Sequence, residues 1–445
     1  MTSARMARLA MFPSVLVLGV AVTAGVDVET QQAPLQRDFS RELANKMRGT
    51  YIIALTAGLS TQDLVGPQVS PALQRILKDA HTAVGHLENY QSERPLAVQA
   101  PAREVAKDLA GLGFDLLGAM GSPADAGVRE ALTQLGVPVA PADRQPVFQH
   151  LPSGRAAFIN AINPIGLSTT KYVTADQLAQ LKAIRDSIVQ RRNDPDVARP
   201  IGVPEDLPDR VTIFSDTFVV GPVTGEIREE LNQADRQANL MAVRATKEFA
   251  DFVAFSMPMP PTPKPGQGAT TRKPHDATVA LAHDLVDNGM DVYVGYGNHV
   301  VQGIEIYKGR PIFYNLGDLT AHRTDPAEAT RTGLIATATY QDGALQEVRI
   351  HPVDLGSDFM VRPASTLGIP MTPSASVANR VLAELQKDSE AFGTRIAIEN
   401  GVGVIRVPRE ATVAIGQNVR EFGTLPQRGG GAAGRGGRGG RGGGF

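Results

Sequence analysis

Residues Val294 to Leu319 read VGYGNHVVQGIEIYKGRPIFYNLGDL, and the fold is read outward from them. The stretch begins at the end of a predicted strand, Asp291 to Val294, and enters a Gly-x-Gly-Asn turn whose glycines answer a backbone demand. An imidazole has no structural task in such a turn, so His299 is a candidate for chemistry. Glu305, Tyr307 and Lys308 read as a strand entering a tight Lys-Gly-Arg turn and are assigned to the scaffold. Asn315 and Asp318 are turn formers by residue type.

Upstream, strands and helices alternate. Tyr51 to Thr56 is an apolar run of strand length. Ser70-Pro71 opens a helix with Leu73, Ile76, Leu77 and Ala80 on one stripe. Thr82 to Val84 is the next strand and ends at Gly85-His86-Leu87-Glu88. A helix near Arg103 to Leu112, a strand at Phe114 to Leu117 and a helix from Asp125 to Leu135 repeat the pattern. Repeated β–α–β units predict an α/β fold with parallel strands and helices on the sheet faces. Further on, Arg155 to Ile162 reads as a strand, and Thr174 with Gln177 forms a capping box before a helix. An amphipathic segment spans Glu226 to about Phe249, followed by a strand at Asp251 to Phe255. The proline density of Met257 to Pro265 demands a loop. A helix from Asp276 to Val286 follows, and Asp342-Gly343 joins Leu334–Tyr340 to Leu345–Ile350 as a β-hairpin.

With 445 residues, 42% hydrophobic and 20% charged, the chain has a globular composition rather than that of a coiled coil or a polytopic membrane protein. It contains no cysteine, which excludes disulfides, thiolate metal sites, cysteine nucleophiles and a lipid-bearing cysteine. Any metal must be held by His, Asp, Glu, Asn or carbonyl oxygen. The net charge of -2 gives the whole chain no bias toward nucleic acid, which is not an expected partner.

The two ends differ from the middle. Arg5 and Arg8, the apolar run Leu9 to Val22 and the small residues before Gly25 predict a secretory signal over residues 1–24, or an uncleaved anchor at the same membrane, and hence export. Residues 25–48 read as a linker and 49–427 as the folded domain. Residues 428–445 form an Arg/Gly-rich tail predicted to be disordered. Without the tail's four arginines the remaining chain carries about -6, so charge is segregated. One reading gives the tail an anionic envelope polymer as ligand, and the other leaves it a solvated end with no partner.

The Val294–Leu319 stretch resembles the signature of the CapA family, the poly-γ-glutamate capsule synthesis proteins, in which a His-rich GHGPH turn precedes V-x-x-G-I-E-I-Y-K-G-x-P-I-F-Y-S-L-G-N-F. Leu55-Thr56 with Gly85 to Glu88, Gly113 to Asp115 with Asp125 to Gly127, and Thr169 to Val173 resemble further family blocks in the same order, so the likeness covers roughly residues 50 to 410. The resemblance implies an α/β (α+β) fold, a two-sheet αββα sandwich of the metallophosphoesterase type, with a metal site at the strand ends. It also implies a place in poly-γ-glutamate, capsule or envelope polymer synthesis. The expected partners are the anionic polymer and membrane-bound synthesis machinery.

Hydrolases of that type hold divalent metal to lower the pKa of water and neutralise the attacked group. Against the family's pattern this chain has lost most of the donors. Its T-G-D is Thr56-Ala57-Gly58, leaving Asp63 as the nearest carboxylate. N-L-E is His86-Leu87-Glu88, and N-N-H is Met120-Gly121-Ser122, with Asp125 and Gly127 kept. An H-x-H turn after a strand-end Ser is Pro258-Met259-Pro260 after Ser256, and GHGPH is Gly295-Tyr296-Gly297-Asn298-His299. The survivors His86, Glu88, His299 and Asp318 are the metal candidates, enough for one weak site for Mn, Fe or Zn. Asp125, Tyr296, Asn298 and Asn315 are candidates for the substrate rim. His275, His283 and His322 have no motif support and read as surface residues. The expected protein is an exported CapA-like pseudoenzyme that acts by binding. The alternatives are an active metal-dependent phosphoesterase or amidase with an altered ligand set, and a binding module working through the arginine-glycine tail.

Overall fold

The computed structural model describes residues 46–408 except 62–63, 65–67, 89–99, 121–124, 162, 193–207, 214–215, 222–226, 259–271, 298, 321–330 and 358–365. The predicted leader, the tail, Asp63, Ser122, Met259, Pro260, Asn298 and His322 lie outside the described residues.

The first strand is longer than its apolar core requires. β1 (Thr50–Ser60) pairs antiparallel with β16 (Thr332–Gln341) through Leu55, and beyond an irregularity it pairs parallel with β15 (Asp318–Thr320) at Gly58. On its other side lie, in parallel, β2 (Thr82–Glu88), β3 (Leu116–Ala119) and β4 (Val139–Pro141). The hairpin from β16 to β17 (Ala344–Asp354) turns at Asp342 and Gly343, both at positive φ, as its Asp-Gly sequence predicts. β19 (Val402–Arg406) and β18 (Ala397–Glu399) complete a nine-stranded sheet in the order β18-β19-β17-β16-β1-β2-β3-β4, with β15 beside β1.

A six-stranded sheet has the order β13-β14-β12-β11-β6-β5. Its strands are β5 (Pro146–Leu151), β6 (Gly154–Asn160), β11 (Phe252–Pro258), β12 (Val292–Tyr296), β13 (Ile304–Tyr307) and β14 (Arg310–Phe313). The period of two along each strand decides how the sheets are covered. Ile53 and Leu55 of β1 face Phe158, Ala254, Val292 and Phe313 of the second sheet in one buried core. Ala54 faces the other way, onto helices α1 (Pro71–Lys78), α2 (Ala102–Gly111) and α3 (Ala126–Gln134) through Leu73, Leu109 and Leu132. The outer face of the second sheet, with Val253, Phe255 and Tyr293, is covered by other helices through Val243, Leu281 and Leu285. The layers are therefore helix, sheet, sheet, helix, the αββα sandwich that the resemblance implies.

The structure adds a third sheet that the sequence reading lacks. β7 (Ile165–Val173), β8 (Arg210–Ile213), β9 (Asp216–Val220) and β10 (Ile227–Leu231) pair in the order β10-β7-β9-β8. With α4 (Ala175–Arg192) they enclose a small core of Val173, Leu178, Val211 and Ile213. The capping box that opens α4 is formed: Thr174 N–H donates to Gln177 Oε1 at 2.9 Å and Gln177 N–H to Thr174 Oγ1 at 3.2 Å. The segment read as one amphipathic stretch from Glu226 is in part β10. Helix α5 (Gln233–Lys247) starts only after Asn232, whose side chain accepts from the N–H groups of Ala234 and Asp235. α6 (Asp276–Asp287) and α7 (Ala375–Glu390) complete the described helices, none of which is long and apolar enough to cross a membrane.

His283 is a further correction. Its ring stacks on Tyr307 at 3.8 Å, and Nε2 lies 2.8 Å from Glu305 Oε1, whose other oxygen accepts the Tyr314 hydroxyl at 2.5 Å. Together with the Lys308–Asp287 ion pair this pins the β13–β14 hairpin to α6, so Glu305, Tyr307 and Lys308 do serve the scaffold.

His351 on β17 makes the fold acid-sensitive. Burial, with Arg349 nearby, pushes its imidazole down to about 4, whereas an unfolded histidine titrates near 6.5. The unfolded chain therefore takes up the proton first, and the stability contributed by the neutral ring is complete above about pH 6.5 and lost as pH falls toward 4. Urea unfolding is expected to show about 2 kcal/mol less stability at pH 5 than at pH 7 from this residue, a difference that His351→Gln abolishes. An unchanged pH dependence in the variant would contradict it.

Candidate functional site

The parallel strands β1, β2 and β3 of one sheet and β6, β11 and β12 of the other end at one rim, where an α/β sheet places its ligands. Glu88 is the last residue of β2, His299 follows β12, and Asp318 opens β15. Ligand atoms of these three residues lie within 4.8 Å of one another. His299 Nδ1–H donates to Asp318 Oδ1 at 3.0 Å and lies 3.6 Å from Glu88 Oε2. Glu88 Oε1 accepts the Gly297 N–H at 3.0 Å, which ties the turn before His299 to the opposite sheet.

Both carboxylates are buried, Glu88 to 4% exposure and Asp318 to 1%, while the His299 side chain keeps 24%. Two buried acids beside one imidazole bring oxygen and nitrogen donors to one point of the rim. One imidazole nitrogen and carboxylate oxygens are donors suited to Mn, Fe or Zn. The residues present therefore fit a single divalent ion.

Among the described residues no second group of donors gathers beside this one. The family's aspartate on β1 is Gly58, whose register neighbours are Asp318 on one side and His86 on the other, and no described residue of the rim replaces it in the cluster. His86 points toward the other sheet but stays outside the three-residue group. It is fully buried, its Nδ1–H donates to the Thr56 carbonyl at 2.9 Å, and its ring lies 4.4 Å from that of Tyr296. Burial lowers its pKa to about 4 and keeps it neutral.

Of the substrate-rim candidates, the three that are described are buried rather than on a rim surface. Tyr296, Asn315 and Asp125 each have 0% exposure. Tyr296 donates its hydroxyl to Asn160 Oδ1 at 3.0 Å. Asn315 Oδ1 accepts the Gly317 N–H at 2.7 Å, the side-chain turn its type predicts. Asp125 accepts the Thr61 hydroxyl at 2.8 Å, and burial raises its pKa above the usual carboxylate value.

Asn160 is the residue that sequence reading misses. At the end of β6 its Oδ1 accepts from Ser256 and Tyr296, and its Nδ2 donates to the carbonyls of Ala119 and Ala140. The only signal was one amide closing an apolar strand.

His299 sits at φ +61°, in the left-handed region that an ordinary side chain adopts at a cost of about 1 kcal/mol or more. Both His299→Ala and His299→Gly remove the imidazole. The glycine variant is expected to be more stable than the alanine variant by about 1 kcal/mol in chemical denaturation; the reverse order would show that the turn carries no strain.

Residues 129–323 match the family described as bacterial capsule synthesis protein PGA_cap. The chain is 30% identical over 298 residues to the uncharacterized protein y4sH of Sinorhizobium fredii, covering 58% of this chain and 60% of that protein. It is 36% identical over 120 residues to the capsule biosynthesis protein CapA of Bacillus anthracis, 26% of each chain. Among solved structures, the phosphopantetheinyl hydrolase PptH of Mycobacterium tuberculosis covers 60% of this chain and 90% of its own at 12% identity and a TM-score of 0.25, a likeness too distant to bear on the chemistry. The resemblance to the CapA capsule synthesis proteins carried by Val294–Leu319 is borne out. The chain spans about 60% of the length of the rhizobial relative and about a quarter of that of the Bacillus protein.

Proposed function

We propose that this chain, like the capsule synthesis proteins it resembles, serves the making of an anionic envelope polymer such as poly-γ-glutamate, and does so outside the cytoplasm by binding rather than by cleaving. The observation that carries the reading is the convergence of Glu88, His299 and Asp318 on one point of the rim. A divalent cation held there supplies positive charge that a polymer carboxylate can share. Gly58, His86 and Pro258, standing where the family pattern has donors, support weak or absent hydrolysis. Membrane-bound synthesis machinery is the partner class that fits this role, and the leader read from residues 1–24 would deliver the chain to it.

The test is equilibrium binding of poly-γ-glutamate to the full chain with Mn2+ and with a chelator, beside assays of phosphoester and γ-glutamyl amide turnover. Binding is expected to need the metal, to be lost in His299→Ala, and to occur without turnover. Metal-dependent turnover abolished by His299→Ala would replace this reading with that of an active hydrolase. Metal-independent retention lost on deleting residues 428–445 would assign binding to the tail.

A further inference from the structure

Two positions at which the family pattern places donors carry other residues in this chain. His86 stands for the amide of N-L-E and Tyr296 for the first histidine of GHGPH. In sequence they are 210 residues apart and look like separate losses. In the structure their rings stack with centroids 4.4 Å apart and planes 16° from parallel, both fully buried, one on each sheet. Rings in face contact leave no volume between them for an ion with bonds of about 2.0–2.6 Å and its own ligand shell.

The seat around the pair is built for it. Asn160 receives the Tyr296 hydroxyl, and its own amide is held by two backbone carbonyls. His86 is oriented by the Thr56 carbonyl. Gly118 lies beside the imidazole, where a Cβ would come within 2.8 Å of His86 Cδ2 and 3.4 Å of Asn160. At the other end of the strands a second aromatic group, Tyr51, Phe252 and Tyr340, joins the same two sheets edge to face at 4.9 Å.

We propose that the His86–Tyr296 stack, seated by Asn160 and Gly118, takes the place of a metal ion as the bridge between the two sheets at the rim, and so makes this rim a site for one cation at most. The count of one rests on the cation reading of Glu88, His299 and Asp318; the stack itself does not.

Mn2+ stoichiometry of the full chain, by titration and by elemental analysis after dialysis, tests it. One equivalent or none upholds the replacement, and none would at the same time dismiss the cation reading of the three-residue cluster. Two equivalents in the unaltered chain overturn it. The double variant His86→Asn/Tyr296→His is expected to melt below the parent in chelator, because the ring contact between the two sheets is lost. A folded double variant that melts with the parent overturns the proposal. Should that variant fail to fold, Tyr296→Phe and Tyr296→Leu decide: the phenyl ring is expected to keep most of the melting temperature and leucine to lose roughly 5 °C or more. Equal melting of the two would show that the stack bridges nothing.

Discussion

Gly333→Ala is expected to unfold the rim: the variant should lose about 3 kcal/mol or more of stability and its cation site with it. A Cβ at Gly333 would lie 1.8 Å from the carbonyl oxygen of Asp318 and 2.9 Å from its carbonyl carbon. These are backbone atoms of β15, which is held between β1 and β16, so no side-chain rotation relieves the clash. Gly317, at φ +72°, and the Leu334 N–H bond to the Leu316 carbonyl at 2.8 Å hold the same crossing from the other side. Relief requires β15 to move, and Asp318 would then leave His299. Chemical denaturation and Mn2+ titration of the variant should both report this. Parental stability with parental affinity would mean that β15 sits elsewhere.

Glu88→Ala should lower Mn2+ affinity by more than about 100-fold, because even outer-shell partners of a metal site are worth 10–100-fold. It should also cost about 1–3 kcal/mol, since the Gly297 N–H loses its acceptor. Glu88→Gln separates the two roles. The amide oxygen can still accept from Gly297, so the fold is expected to keep most of its stability while the charge that binds the cation is gone. Calorimetric titration of Mn2+ into both variants checks this, and parental affinity in Glu88→Gln would remove Glu88 from the ligand set.

Much of the scaffold was legible because its signals are local. The Asp342-Gly343 hairpin, the Thr174–Gln177 box and the stripe of Leu73 and Leu77 depend on residues a few positions apart, and the structure forms each of them. The small third sheet was not legible, since β7 to β10 are short and the helix after β10 continues the same polar pattern from Asn232 onward. His283 carried no motif, because its partners Glu305 and Tyr307 lie on a strand more than twenty residues later.

The site divides along the same line. Residue types alone carried the expectation of a reduced donor set: Gly58 and Pro258 have no side-chain ligand atom, and a chain without cysteine has no thiolate to substitute. They also singled out Glu88, His299 and Asp318. Only the tertiary structure decided that these three meet while His86 does not, because β2 and β12 belong to different sheets and their relative placement is set by the whole buried core between them. The same packing turned His86 and Tyr296 from two vacant donor positions into one contact, since burial between two sheets gives each ring a neighbour that its own strand cannot specify.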